Sequence, residues 1–404
     1  MSWEEELIRL YDKNSSQAGK IQYKQIKKNG KDEKIPYVLL PPFHTTVTAQ
    51  IQVTLSAEGE FLGASKVGSE DKLTIIPVTE KSGSRTAGKA PHPLCDNLRY
   101  LAGDYGKYVP DKKGDLGSYH ELYMEELEKW HLSPLSHAKV DAVWKYLKKE
   151  TLIQDLLKEK ILLLSEDGRL SDEIKIEGVI QSMAFVRFIV REKTGTEFGQ
   201  TCDECWKDSS LWDCFIRYYR SMGGKKELDY LTGERQTVSY LHSKKIRNEG
   251  DGAKLISSND EANYTFRGRF STKEQAFAIG NETSQKMHNA LKWIIRKQGR
   301  SFDTLTMVTW ESDMKEMPPW DADTETISST SVTEMTPETG EEDLQALFQD
   351  DIPVGWEEEA EVSPEFDGNP VTARQFYSAL EGYRKQVENT SHMILMAFDA
   401  ATTG

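Results

Sequence analysis

Two apolar stretches near the end of this chain, "TLTMVTW" (304–310) and "MILMAFDA" (393–400), have the length and aliphatic content of buried strands. An apolar strand at the end of a chain must find a sheet partner, and 304–310 is one that is available. The intervening chain then leaves one sheet and returns to it as an excursion. Residues 301–372 hold 20 Asp and Glu against the single Lys315. They lack hydrophobic periodicity and are rich in Thr, Ser, Pro and Glu, so 311–367 reads as a loosely ordered acidic insertion. A helix around 372–390 is expected before the closing strand.

That excursion also carries the charge. The 404 residues have a net charge of −15, yet the first 300 hold 47 basic and 43 acidic side chains. The body is near neutral, and binding to a polyanion follows local rather than total charge. "MSWEEELIRL" has no basic segment followed by an apolar one, no stretch approaches a membrane span, and four cysteines do not make a disulfide framework. A soluble cytoplasmic protein without membrane contact is expected.

Ser2 and Glu5 form a capping box for a first helix with the stripe Trp3, Leu7, Leu10 and Tyr11. "TAQIQVTLSAEGEFLGASKV" reads as strand, turn at Glu58-Gly59, strand, and "KLTIIPV" as another strand. Residues 104–118 read as a surface loop and 119–165 as helical, including "ILLLSED" (161–167). "GVIQSMAFVRFIV" is β-rich, and "SLWDCFIRYYRSMG" is a helix ended by Gly223-Gly224. A second capping box at Ser271 and Glu274 precedes the long amphipathic helix in "NETSQKMHNALKWIIRKQG". The expected class is mixed α+β: a β-rich region over 1–118, a mixed body over 119–300 with the long helix on a central mixed sheet, and a third region over 301–404.

"GSRTAGKA" (83–90) lies one residue from a P-loop. Gly83, Gly88 and Lys89 are in register with G-x-x-x-x-G-K-[ST], but Ala90 stands where a metal-binding hydroxyl belongs. Pro91-His92-Pro93 follows, so no helix N-terminus can cradle a phosphate there. What remains is an exposed loop, "TEKSGSRTAGKAPHP". Its Lys81, Ser82, Ser84, Arg85, Thr86 and Lys89 suit phosphate oxygens and base edges, and its glycines permit close approach. On that reading, alanines at Arg85 and Lys89 weaken binding and leave the fold intact. A second basic loop, His242–Asp260, offers Lys244, Lys245, Lys254, Ser257, Ser258 and Asn259. Cys202, Cys205 and Cys214 are weak candidates for zinc, because C-x-x-C spacing suits one ion but no fourth ligand lies nearby. His288 in the long helix reads as a surface or core histidine. No nucleophile motif or metalloprotease motif is present, so no catalytic residue and no cofactor is expected.

Several segments in order along the chain, "IIPVTEKSGSRTAGKAPHPLCDNLRYLAGD" (75–104), "YLTGE" (230–234) into "LHSKKI", "GAKLISSND", "NETSQKMHNALKWIIRKQG", "VTW" (308–310) and "FDAATTG", carry a resemblance. The chain resembles the large-subunit family of type I-C CRISPR Cascade, the Csd-type proteins, without that family's C-terminal helical part. The resemblance implies a non-catalytic subunit of a crRNA-guided antiviral complex that recognises the protospacer-adjacent motif in duplex DNA. It implies contact with the crRNA 5′ handle, the handle-binding and backbone subunits, and a helicase-nuclease. Asn281, Lys286 and Asn289 on the long helix are then weaker candidates for nucleic-acid contact. The rival expectation is a protein-interaction scaffold whose acidic segment meets a basic partner.

Overall fold

The computed structural model describes residues 2–28, 31–83, 85, 88–111, 114–191, 202–248, 250–256, 278–302, 304–311 and 393–399. The chain divides into two compact units, Met1–Lys297 with Ala400–Gly404, and Gln298–Asp399. The class is mixed α+β.

In the first unit, α1 (Trp3–Lys13) starts on the Ser2/Glu5 capping box and buries Leu7, Leu10 and Tyr11. A hairpin of β1 (Ile21–Lys28) and β2 (Lys31–Val38) follows. β3 (His44–Thr48) will pair antiparallel with β6 (Leu73–Pro77). Between them, β4 (Ile51–Ser56) and β5 (Phe61–Lys66) form the expected hairpin. Its turn holds Gly59 at φ 80°, where a Cβ would come within 2.6 Å of the Ala142 carbonyl, so only glycine fits.

Between residues 79 and 174 the chain is largely helical: α2 (Glu80–Gly83), α3 (Leu98–Leu101), α4 (Tyr105–Tyr108), α5 (Gly117–His131), α6 (Ala138–Leu147) and α7 (Leu152–Lys158). A small hairpin of β7 (Lys175–Ile176) and β8 (Val179–Ile180) leads to β9 (Val186–Arg191), which pairs parallel with β4. The resulting sheet, β5-β4-β9, has both parallel and antiparallel pairs. Its core face alternates along the strands: Ile51, Val53 and Leu55 of β4 are fully buried, as are Val186 and Phe188 of β9. α6 packs over β4 and β9, and α7 over β5, so helices of the long connection cover the parallel pair.

Two sequence expectations are corrected here. Residues 104–118 are not simply a surface loop, because Asp104 and Tyr105 are buried; the Asp104 carboxylate accepts from the Ile153 and Gln154 amides at the start of α7. "ILLLSED" is not helical. The chain leaves α7 through Lys160 at positive φ and forms an isolated bridge between Leu164 and Leu170.

α8 (Ser209–Ser221) is capped by Asp208, whose Oδ1 accepts from Ser210 N at 2.9 Å. The same carboxylate pairs with the buried Lys139 of α6. Gly223 at φ 75° ends the helix, and a short sheet follows from β10 (Lys226–Leu228), β11 (Arg235–Ser239) and β12 (Ile279–Gly280). α9 (Asn281–Gln298) is the long helix, burying Met287, Ala290, Leu291, Trp293, Ile294 and Ile295.

In the second unit, β13 (Arg300–Phe302), β14 (Leu305–Glu311) and β15 (Met393–Phe398) make an antiparallel sheet with β14 central. β14 and β15 pair from Thr306↔Phe398 to Glu311↔Met393, so the closing strand does return to its partner across the acidic excursion. The rest of the segment 311–367, the helix expected at 372–390, and the capping box at Ser271 and Glu274 lie outside the described residues. No described helix is long and apolar enough to cross a membrane.

Candidate nucleic-acid interface

The strand β6 delivers the first basic loop, and the chain immediately turns into α2. Ser82 is not exposed as the loop composition suggested. It is 2% accessible, and its Oγ accepts from the Thr79 amide at 3.0 Å while Thr79 Oγ1 accepts from the Ser82 amide at 3.1 Å. Arg85 is also drawn inward. Its guanidinium makes a two-pronged contact with the fully buried Asp96 at 2.9 and 3.1 Å, donates to the Ala90 carbonyl at 2.9 Å and lies over the Tyr100 ring. Asp96 in turn accepts from the His92 amide at 2.8 Å. Lys89 reaches Ser118 at the start of α5, pairs with Asp115 at 3.3 Å and sits 4.7 Å from the Tyr119 ring centroid. The first helix past the two prolines is α3, so the P-loop resemblance has no phosphate cradle behind it. Ser84 and Thr86 lie outside the described residues. Lys81 remains exposed on the outer side of α2.

The second basic loop is held rather than loose. The Lys245 amide donates to the Asp251 carbonyl at 2.9 Å, and Arg247 pairs with Asp251 at 3.0 Å with both side chains buried. Burial disfavours the Asp251 charge, but the Arg247 hydrogen bonds hold its carboxyl below the usual range. α9 braces the loop from beneath: Lys292 Nζ meets Ser243 Oγ at 2.5 Å, and Arg296 donates to the Ile246 carbonyl at 3.5 Å and the Lys245 carbonyl at 3.3 Å. Lys244 and Lys245 are exposed; Lys254 is half-buried, with its ammonium pKa lowered by burial and by Lys244. Ser257, Ser258 and Asn259 lie outside the described residues.

The two loops, about 160 residues apart in sequence, are joined by one side chain. Glu80 Oε1 accepts from Ser239 Oγ at 2.7 Å, the Tyr240 amide at 3.2 Å and the Leu241 amide at 3.0 Å. The Glu80 amide donates to Tyr219 Oη of α8 at 3.0 Å. Lys81 therefore stands beside the segment that leads directly into Lys244 and Lys245. Next to Lys81 opens a cleft of about 620 Å³, between α5, α8 and the β10–β11 hairpin. Lys81, Lys129, Arg220, Lys225, Lys226 and Arg235 line it against Glu80, Glu126 and Glu282. Arg220 is paired with Glu282 through two 2.7 Å contacts, Lys129 with Glu125 at 2.7 Å and Lys225 with Glu227 at 2.5 Å. Lys226 and Arg235 are the lining cations for which no ion pair forms among the described residues.

Sequence reasoning missed Lys225, Lys226 and Arg235. The signal was the run Gly223-Gly224-Lys225-Lys226: a Cβ at Gly224 would lie 2.5 Å from Thr237 Cγ2, so glycine lets the hairpin close with its lysines outward.

The weaker candidates on α9 serve packing. Asn289 is buried and donates to the Leu40 carbonyl at 3.2 Å, and Lys286 pairs with Asp12 at 3.0 Å. Asn281 is buried at the cleft margin. Cys202, Cys205 and Cys214 do not assemble a metal site: among the described residues no three His, Cys, Asp or Glu side chains could hold an ion together. Burial raises all three thiol pKa values, Cys205 to about 12, and Cys214 donates to the Leu135 carbonyl at 2.9 Å. His288 is a core histidine. Its Nδ1 lies 2.7 Å from the Ser284 carbonyl, and His242 Nδ1 lies 2.9 Å from Ser284 Oγ. This is a Ser–His contact in form only: all three residues are nine-tenths buried or more, none of them borders the cleft, and among the described residues no carboxylate orients either imidazole.

Residues 21–404 match the family described as CRISPR-associated protein (Cas_Csd1). No curated protein matches the chain.

Proposed function

Because the chain belongs to the Csd1 family of CRISPR-associated proteins, we propose that it is a non-catalytic nucleic-acid-binding subunit of a crRNA-guided effector complex. It recognises the protospacer-adjacent motif in duplex DNA, contacts the crRNA 5′ handle and offers a platform to the helicase-nuclease. The observation that carries this reading is the Glu80 tether, which sets Lys81 beside the segment leading to Lys244 and Lys245 and beside the cation-lined cleft. Guide pairing supplies most of the sequence reading, so such a subunit needs only phosphate grips and a few groups reaching base edges. Exposed lysines on braced loops supply the first, and fix register without reading sequence.

The test is reconstitution with crRNA, the handle-binding subunit and the backbone subunits, on guide-matched duplexes whose flanking three base pairs are varied. Discrimination between flanks is expected with this chain present and lost when it is omitted. Discrimination that persists without it would remove the proposed role. A scaffold without DNA contact is the second reading, favoured by the internal pairing of Arg85 and Lys89; it requires that this chain be needed for assembly yet leave flank preference untouched.

A further inference from the structure

The cleft beside Lys81 has features that duplex recognition does not use. On a hairpin, residues two apart on one strand share a face. Lys226 stands opposite Thr237 and Leu228 opposite Arg235, so Lys226, Arg235 and Thr237 lie on one face, and all three line the cleft. Diagonal neighbours of this kind sit roughly 7–8 Å apart at Cα, a span that one phosphate group can bridge between two long cationic side chains. Both side chains are exposed, and neither has an ion pair or side-chain hydrogen bond among the described residues.

The opposite wall is aromatic and already fixed. Tyr219 packs against Phe43 at 4.8 Å and stacks on Phe215 at 19°, and Tyr218 stacks on Trp130 at 15°. Tyr218 is itself only 8% accessible and backs the wall, so the half-buried Tyr219 is what the wall presents, held at no further ordering cost. His92 also lines the cleft; it is 8% accessible, and its Nδ1 is buried with no hydrogen-bond partner. A polar atom left without a partner at the edge of a cavity suits a ligand that brings its own polar edge. The volume of about 620 Å³ falls in the range of small-molecule sites and cannot admit a base-paired duplex.

We infer that this cleft holds one unpaired nucleotide of a single strand, its phosphate on Lys226 and Arg235 and its base against Tyr219 beside His92. The inference rests on the nucleic-acid reading above and adds to it a site for unpaired strand. Guide RNA and displaced DNA present the same chemistry, and the experiment separates them.

The full chain is titrated with a single-stranded decamer carrying one 4-thiopyrimidine, in DNA and in RNA form, with the matching blunt duplex, and with the free mononucleotide. Lys226→Ala/Arg235→Ala is compared with wild type; both positions are exposed, so an unchanged urea midpoint is expected. The double variant should bind the single strand about tenfold more weakly at 0.1 M salt, with duplex affinity within twofold. Photo-crosslinks should map to residues 209–239, and the tighter of the DNA and RNA arms identifies the strand. The inference is overturned if single-strand affinity is unchanged, if single strand and duplex weaken equally, if crosslinks fall elsewhere, or if the free mononucleotide binds as tightly as the decamer. Duplex binding without single-strand binding sinks the cleft alone; binding of neither sinks the nucleic-acid reading with it.

Discussion

Acidification from pH 7 to pH 5 is expected to unfold the larger unit. Burial lowers the pKa of His44, His92 and His242 from 6.5 to about 4 and that of His288 to about 3. At His44 and His288 a backbone carbonyl opposes the shift without reversing it, and at His92 the Asp96 charge does the same. A histidine whose folded pKa lies below its unfolded value stabilises the fold above about pH 6.5 and loses that contribution as pH falls towards the folded value. Each proton taken up only by the unfolded chain is worth about 1.4 kcal/mol per pH unit, and the unfolded imidazoles are only half protonated at pH 6.5, so the four together remove about 6 kcal/mol between pH 6.5 and pH 5. That is comparable with the whole stability of a folded domain, about 5–15 kcal/mol. Urea midpoints across pH 7.5 to 5 measure it, and His288→Leu should reduce the pH slope by about a quarter. A midpoint that stays level over this range would mean that these imidazoles are hydrated in solution.

Arg85→Ala is expected to cost about 3–5 kcal/mol, because it strands a carboxylate inside the protein. Asp96 is fully buried, and Arg85 supplies its only cation among the described contacts. Loss of the guanidinium also frees the Ala90 carbonyl, in a loop that two prolines already keep out of regular structure. Arg85→Lys should recover only part of the loss, since an ammonium cannot reproduce the two-pronged contact. Lys89→Ala removes a partly exposed pair and should stay within about 1 kcal/mol of wild type. Urea unfolding of the two single variants separates them. This reverses the sequence expectation that both alanines leave the fold intact. An Arg85→Ala variant as stable as wild type would show that the Asp96 contact is not formed.

Why the sequence misled at Arg85 has a physical reason that recurs. Elements whose signal is local were legible: the first helix from its capping box, the β4–β5 hairpin from alternation around Gly59, α8 from its apolar stripe and Gly223, and the β14–β15 pairing from two apolar strands in need of a partner. Features made by distant contacts were not. Asp96 reaches back eleven residues to turn a solvated-looking arginine inward. α4 forms where the sequence is rich in Gly and charge, because Asp104 caps α7 and Tyr105 donates to the Ser182 carbonyl at 3.1 Å. At the candidate site, composition found both basic loops, but nothing local could show that Glu80 joins them. β10 and β11 are too short for alternation to mark Lys226 and Arg235 as sharing a face.

The central claim is that exposed cations around the Glu80 tether grip a phosphate backbone. Its most direct test is the affinity of the full chain for a duplex across a salt series, for wild type and for Lys81→Ala/Lys244→Ala/Lys245→Ala. The logarithm of the wild-type association constant should fall linearly with that of salt, with a slope of about −3 or steeper, and the triple variant should be shallower by about 2 to 3. Wild-type affinity indifferent to salt, or a triple variant with an unaltered slope, would contradict the claim.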